Sequence, residues 1–379
     1  MGMTSSFSER KIAYRKNKTD RDSGKLNCIP FYKAFPRLSK HIPGLIKGVQ
    51  YKILSYTGIG KTKFAKFLGV FLPAMTLDHY PDCGITYKVF FFLLEETIDE
   101  AIDSITVSIL SMYYNTHIDV LELKSMYEES VSSDILDIVE SEEFEQRVDK
   151  ILKCVEFIDT ITNPFGIYKK VRSYMKDNGH FSKKTITTSD GKEVEVDDKY
   201  IENDPDHYVI FITDHVGLMT KENTMSKHET IGKYSHEYCR RQLVGKYYCI
   251  NINVQQMEMK GDDVTHFKAG RLEPSLDKAA TNKEILRDDM VILGLFAPDR
   301  YRLTNYIGYD IVHPKDEYKS LRDNFRSVHV LKNRIGTPNS IIPMFFDGAS
   351  GQFKELPKTT DTEGLKKVYS YLKKIKSVT

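Results

Sequence analysis

The sequence predicts an α/β fold with a mostly parallel central sheet and helices on both faces. Three observations carry this. Short apolar runs of buried-strand length recur at 51–54, 88–94, 208–213, 248–256 and 290–296. Stretches with helical apolar spacing lie between them, as at 62–72, where Phe64, Phe67, Leu68 and Phe71 share one face. Strands that alternate with helices need crossover connections, and those cover both faces of a parallel sheet.

The elements follow in order. Residues 1–28 read as a flexible polar tail, with seven Lys/Arg against three acids, available for non-specific nucleic-acid contact. The globular part spans 29–359. Its first strand runs into a Gly-containing turn and then the 62–72 helix. After the 88–94 strand, 98–113 reads as a helix, and 118–150 as acidic and helical with a gap. A short strand at 154–158 and a helix at 167–175 precede a polar surface excursion around 180–206, with Thr-Ser-Asp-Gly-Lys (188–192) as a hairpin turn. A helix at 229–243 leads into the alternating strand 248–256. Strands at 290–296, 328–331 and 341–346 follow. Residues 360–379 form a terminal amphipathic helix, with Leu365, Val368, Leu372 and Ile375 on one stripe.

Composition narrows the function. The chain has 379 residues, 40% hydrophobic, enough for one large core with appendages. Basic and acidic residues balance at 55 against 53, which excludes a strongly basic coat protein and an acidic disordered chain. Five widely spaced cysteines without a CxxC argue against a zinc site or disulfide framework and for a reducing cytoplasm. No apolar run approaches the ~20 residues that cross a bilayer, and the N-terminus has no secretory apolar region.

The segment Ser55-Tyr56-Thr57-Gly58-Ile59-Gly60-Lys61-Thr62 sits between a strand and a helix. Glycines there let amides turn around phosphate oxygens, and the helix start adds positive potential. Lys61 can reach β- and γ-phosphates, and the Thr62 hydroxyl can ligate Mg2+. Ser55 stands where the strict phosphate-loop pattern has Gly. Further candidates lie at strand ends, where parallel sheets hold their ligands. Asp214 ends the 208–213 strand and suits a metal-ordering acid. His215 beside it reads as structural. Glu95 and Glu96 follow the 88–94 strand, and either can orient an attacking water. Gln255 and Gln256 end the alternating strand, where an amide can sense nucleotide state.

The order of these elements resembles the RecA-like ATPase domain of the DnaB-type hexameric replicative helicases. SYTGIGKTKFAK (55–66), VFFFLLEET (89–97), VIFITDHVGLM (209–219), INVQQ (252–256), EPSLDKAATNKEILRDDMVILGL (273–295) and LKNRIGTPNS (331–340) carry it. The resemblance spans roughly 29–356, and that family tolerates a non-glycine at the position of Ser55. It implies a RecA-like P-loop ATPase core that uses ATP and Mg2+. Lys61 and Thr62 would bind phosphate and Mg2+, with Asp214 as the second metal-associated acid. Glu95 would be the catalytic base. Gln256 would couple nucleotide state to DNA, with Gln255 as the alternate. Lys332 and Arg334 would reach the γ-phosphate of the neighbouring subunit.

The resemblance further implies single-stranded DNA as a partner, a homo-oligomeric ring of six, other replisome proteins, no membrane, and a bacterial or phage-infected host cytoplasm. DNA contacts would fall in two loops, 220–228 and 258–271, the second with Lys260, Lys268 and Arg271. The family's N-terminal helical domain, which meets primase, has no counterpart in the 54 residues before Ser55. A recombination or annealing ATPase of RecA/RadA type, and an ATP-gated assembly protein without unwinding activity, remain the rival expectations.

Overall fold

The computed structural model describes residues 7–222, 224–257, 272–278, 285–313 and 319–376. Its centre is one nine-stranded sheet. The strands, numbered in chain order, are β1 (Gln50–Ser55), β2 (Thr86–Leu93), β3 (Val155–Ile158), β4 (His207–Asp214), β5 (Ile250–Gln256), β6 (Val291–Phe296), β7 (Phe325–Asn333), β8 (Ile341–Asp347) and β9 (Gln352–Glu355). They lie side by side in the order β9-β8-β7-β6-β1-β5-β4-β2-β3. The six strands from β6 to β3 are all parallel. The last three in sequence, β7 to β9, are added antiparallel at one edge.

β2, β4 and β6 are near-continuous apolar runs because both sheet faces are covered. Successive side chains point to opposite faces. Val89 and Phe91 of β2 and Ile210 and Ile212 of β4 therefore enter one core. Phe90 and Phe92, with Val209 and Phe211, enter the other. A third, smaller core closes the antiparallel edge, where Phe345 of β8 packs with Tyr309 and with Leu372 of the C-terminal helix Thr362–Lys376.

The phosphate-loop helix runs over 61–79 with a π turn at Phe67–Phe71. The next helix, Ile98–Tyr114, starts in a reciprocal cap. Thr97 Oγ1 accepts from the Glu100 amide, and the Glu100 carboxylate accepts from the Thr97 amide. That cap fixes where the chain leaves β2, just beyond Glu95 and Glu96.

Two segments add to the core. The polar excursion is a long hairpin, Gly179–Thr187 with Glu193–Glu202, and the Thr188 amide donates to the Lys192 carbonyl across its turn. The basic N-terminal segment is helical over Phe7–Asp22 rather than irregular, with none of its residues buried. A Lys18–Asp22 ion pair one turn apart supports that helix locally.

Candidate nucleotide site

Several strand ends meet at one rim of the sheet. β1 ends at Ser55, fully buried, and Ser55 lies beside Gln256 of β5 in parallel register. Leu93 of β2 lies beside Asp214 of β4. The Leu94 amide extends that pairing by donating to the Asp214 carbonyl at 2.7 Å. Glu95 is thus delivered next to Asp214 by the register of two neighbouring strands.

From Ser55 the chain turns through Gly58 (φ 70°) and Gly60 (φ 103°) and enters the helix at Lys61. Both glycines hold left-handed conformations that side chains resist. Space is tight as well: a Cβ on Gly60 would lie 3.0 Å from the Phe346 ring. Lys61 Nζ donates to the Tyr56 carbonyl at 3.2 Å. Burial pushes its ammonium down, while Glu95 and Asp214 push the other way.

The loop opens on a cavity of about 490 Å³ lined by Gly58, Lys61, Thr62, Glu95, Gln256 and Arg300, among others. Asp214 is not among the lining residues; it lies buried beside Thr62, only 1% exposed. Burial drives its carboxyl up to about 7, and the Glu95 and Glu96 charges add to that. The Thr62 hydroxyl opposes it. Apart from the Thr62 hydroxyl, no described residue donates to either Asp214 oxygen. Buried carboxylate oxygens short of donors are costly. Beside a threonine hydroxyl at a phosphate loop, they are the hard oxygen donors that Mg2+ takes. The residues present therefore fit the metal.

The two adjacent acids diverge. Glu95 lines the cavity, partly exposed, with Oε1 3.2 Å from His215 Nδ1. Burial pushes the His215 imidazole down; Glu95 opposes this and Lys61 reinforces it. Glu96 instead pairs with Lys66. Gln256 faces the cavity, whereas Gln255 is buried.

Lys332 and Arg334 are not in this cavity. Lys332 pairs with Ile292 and Asn333 with Val291, and Val291 lies beside Tyr51. This is the start of β1, roughly 13 Å from its loop end at about 3.3 Å per residue. The Lys332 ammonium donates to the Leu286 and Arg287 carbonyls. The Arg334 side chain is exposed, and its amide is held 2.9 Å from the Met290 carbonyl. Lys260, Lys268 and Arg271 fall outside the described residues.

Two arginines that the sequence reading passed over do reach the loop. Arg300 donates to the Thr57 carbonyl (2.6 Å) and the Gly58 carbonyl (2.8 Å). Arg326, from β7, donates to the Ile59 carbonyl at 2.9 Å and lies over the Phe346 ring. Burial lowers the Arg326 pKa to about 10, and Arg300 adds to this. For Arg300 there was a usable signal: it follows closely on the end of β6, on the rim where the other site residues lie. Arg326 had none, because a charged residue inside a strand reads as the strand's end.

Two solved structures match this arrangement over nearly the whole chain. One, an ATPase domain, aligns with 94% of this chain and 100% of its own, at TM-score 0.62 and 17% identity. The other, a DnaB-like replicative helicase described with its interactions with primase, aligns with 93% of this chain and 67% of its own, at TM-score 0.61 and 15% identity. The fold is that of a DnaB-type, RecA-like ATPase domain. No protein-family model and no curated protein matches the sequence. Within this DnaB-type frame the loop, Glu95, Asp214 and Gln256 share one rim, while Lys332 and Arg334 lie toward the opposite one. No helix among the described residues is long and apolar enough to cross a membrane.

Proposed function

We propose that the chain is an ATP-dependent, DnaB-like DNA helicase motor that hydrolyses ATP between subunits of a ring, with six as the number the resemblance implies. One observation carries the reading: Lys61, Thr62 and Glu95 line one cavity at the phosphate loop, with the buried carboxylate of Asp214 beside Thr62.

The chemistry follows from that convergence. Phosphoryl transfer needs positioning and charge stabilisation more than covalent help. The loop and Lys61 hold the β- and γ-phosphates. Thr62 and Asp214 would hold Mg2+, which when bound would supply charge neutralisation on the phosphate oxygens. Glu95 stands free of strong ion pairs at the open side and orients water toward the γ-phosphate, taking up its proton. His215 keeps the Glu95 carboxylate in place. Gln256, at the end of the strand next to the loop, reports phosphate occupancy toward the segment that follows β5. The segment after Met257 carries Lys260, Lys268 and Arg271, which engage the phosphates of single-stranded DNA. Lys332 and Arg334, remote from their own loop, serve the neighbour's γ-phosphate. Replisome proteins would be further partners.

Strand displacement on a forked duplex tests the helicase reading. ATP-dependent release of one strand supports it. Pairing of complementary strands without release would favour a recombination-type ATPase, and slow turnover without DNA effects an assembly protein.

A further inference from the structure

The outer contacts of the phosphate loop come from far along the chain. Three successive carbonyls, those of Thr57, Gly58 and Ile59, accept from guanidinium groups. Arg300 takes the first two and Arg326 the third. In a planar trans peptide the N–H points opposite to the C=O. Pinning these carbonyls therefore turns the amides of Gly58, Ile59 and Gly60 away from the arginines. Among the described residues none of those three amides has an acceptor. Consecutive free amides of this kind form an anion-binding concavity. Such a row of aligned dipoles repels itself and needs an external hold when no anion is present.

Arg326 is buried and stacked on Phe346, so it belongs to the packing of β7 and β8. Arg300 is different. It is exposed, lies on the short helical turn Pro298–Tyr301 after β6, and its guanidinium reaches across 242 positions of sequence to Gly58. Gly58 is shaped to receive it: a Cβ there would stand 2.4 Å from Arg300 Nη2.

On the nucleotide reading above, we infer that Arg300 is a positioning residue that presets the phosphate loop in its anion-receiving form, acting through the Thr57 and Gly58 carbonyls rather than on the phosphates. A planar fork is needed to serve two carbonyls at once, which an ammonium on a single point cannot replace.

The experiment titrates MgADP into wild-type protein, Arg300→Ala and Arg300→Lys, with thermal melting of each in the absence of nucleotide. ATPase kinetics are then read as KM and kcat separately. Expected is a ~10-fold weaker MgADP affinity in Arg300→Ala, with little recovery in Arg300→Lys. KM should rise more than kcat falls, because the loop holds ground and transition states alike. Nucleotide-free melting should be unchanged. Equal MgADP affinity in wild type and Arg300→Ala overturns the inference while leaving the nucleotide reading intact. So does a weaker affinity that tracks a lowered melting temperature and is restored by Arg300→Lys. No MgADP binding by the wild type overturns the nucleotide reading itself.

Discussion

Lys66 and Glu96 form an ion pair at 2.8 Å, with the lysine 3% exposed, directly behind the phosphate loop. The pair occupies the second of two neighbouring acids and leaves the first, Glu95, at the cavity. Adjacent carboxylates of the same type thereby receive different work. Glu95→Gln should keep nucleotide binding and lose at least about 10²-fold in turnover, the usual scale for losing a general base. Glu96→Gln should hydrolyse ATP within a few-fold of wild type but melt at a lower temperature, since it strands the buried Lys66. Steady-state turnover and melting curves of both variants decide this. The reverse ranking would move the base by one residue.

Asp214 makes stability depend on pH in a defined direction. Its folded-state carboxyl titrates at about 7, above the ordinary carboxylate value, because burial disfavours the charge. The folded state then binds more protons than the unfolded one between roughly pH 4 and 7. Stability from this group is full below that window and is lost as pH rises through it. Asp214→Asn, which mimics the protonated form, should match wild type at about pH 4 or below in metal-free denaturant unfolding. Near pH 8 it should be more stable by on the order of 2 kcal/mol or more. A difference that does not change between the two pH values would show that burial does not set the charge state of Asp214. For the same reason Mg2+, which competes with the proton, should bind better as pH rises through 7.

The sequence made the parallel part of the fold legible, and the reason is physical. β2, β4 and β6 are buried on both faces and so are written as near-continuous apolar runs, while β1 and β5 are short or alternating and bury Lys52, Asn251 and Asn253. The antiparallel edge was harder. β9, Gln-Phe-Lys-Glu, offers a single apolar residue, and its pairing with β8 is visible only in three dimensions. β7 begins at Phe325-Arg326, and the arginine hid the strand's first residues. The site followed a similar division. Glu95, Asp214 and Gln256 were readable because strand ends mark the ligand rim. Arg326 was not, because it acts on a main-chain carbonyl that any sequence would offer; Arg300 was marked only by its place just after β6. The helix Phe7–Asp22 buries no residue and is held by exposed contacts such as Lys18–Asp22 and Glu9–Lys199, too weak a signal against a highly charged composition.

Arg334, exposed and some 13 Å along the sheet from its own loop by strand geometry, makes sense as a group that acts on a neighbour. Arg334→Ala should bind ATP and lose on the order of 10³-fold in hydrolysis, the scale of an arginine finger. Mixed with Glu95→Gln under conditions shown to exchange subunits, it should regain part of the ATPase. The mixture pairs a wild-type Glu95 with a wild-type Arg334 across some interfaces. A fully active Arg334→Ala would remove the assignment, and Lys332 would fall with it.

Replacing Lys260, Lys268 and Arg271 together by alanine should weaken single-strand binding. It should also lower the slope of log affinity against log salt by up to about 2, as three phosphate contacts are lost at ~0.7 each. Basal ATPase without DNA should be retained. A titration with an unchanged slope would locate the DNA elsewhere on the chain, for example on the basic Phe7–Asp22 helix.

On the proposed function, the loop, Glu95 and Asp214 form an ATPase engine driven by single-stranded DNA. The most direct measurement is the steady-state ATPase rate of the wild-type chain in Mg2+, with and without single-stranded DNA, against Lys61→Ala as blank. The account predicts hydrolysis that rises on adding the strand and is abolished in Lys61→Ala, whose fold by circular dichroism is unchanged. Hydrolysis that Lys61→Ala retains, or a rate indifferent to single-stranded DNA at saturating strand, would contradict it.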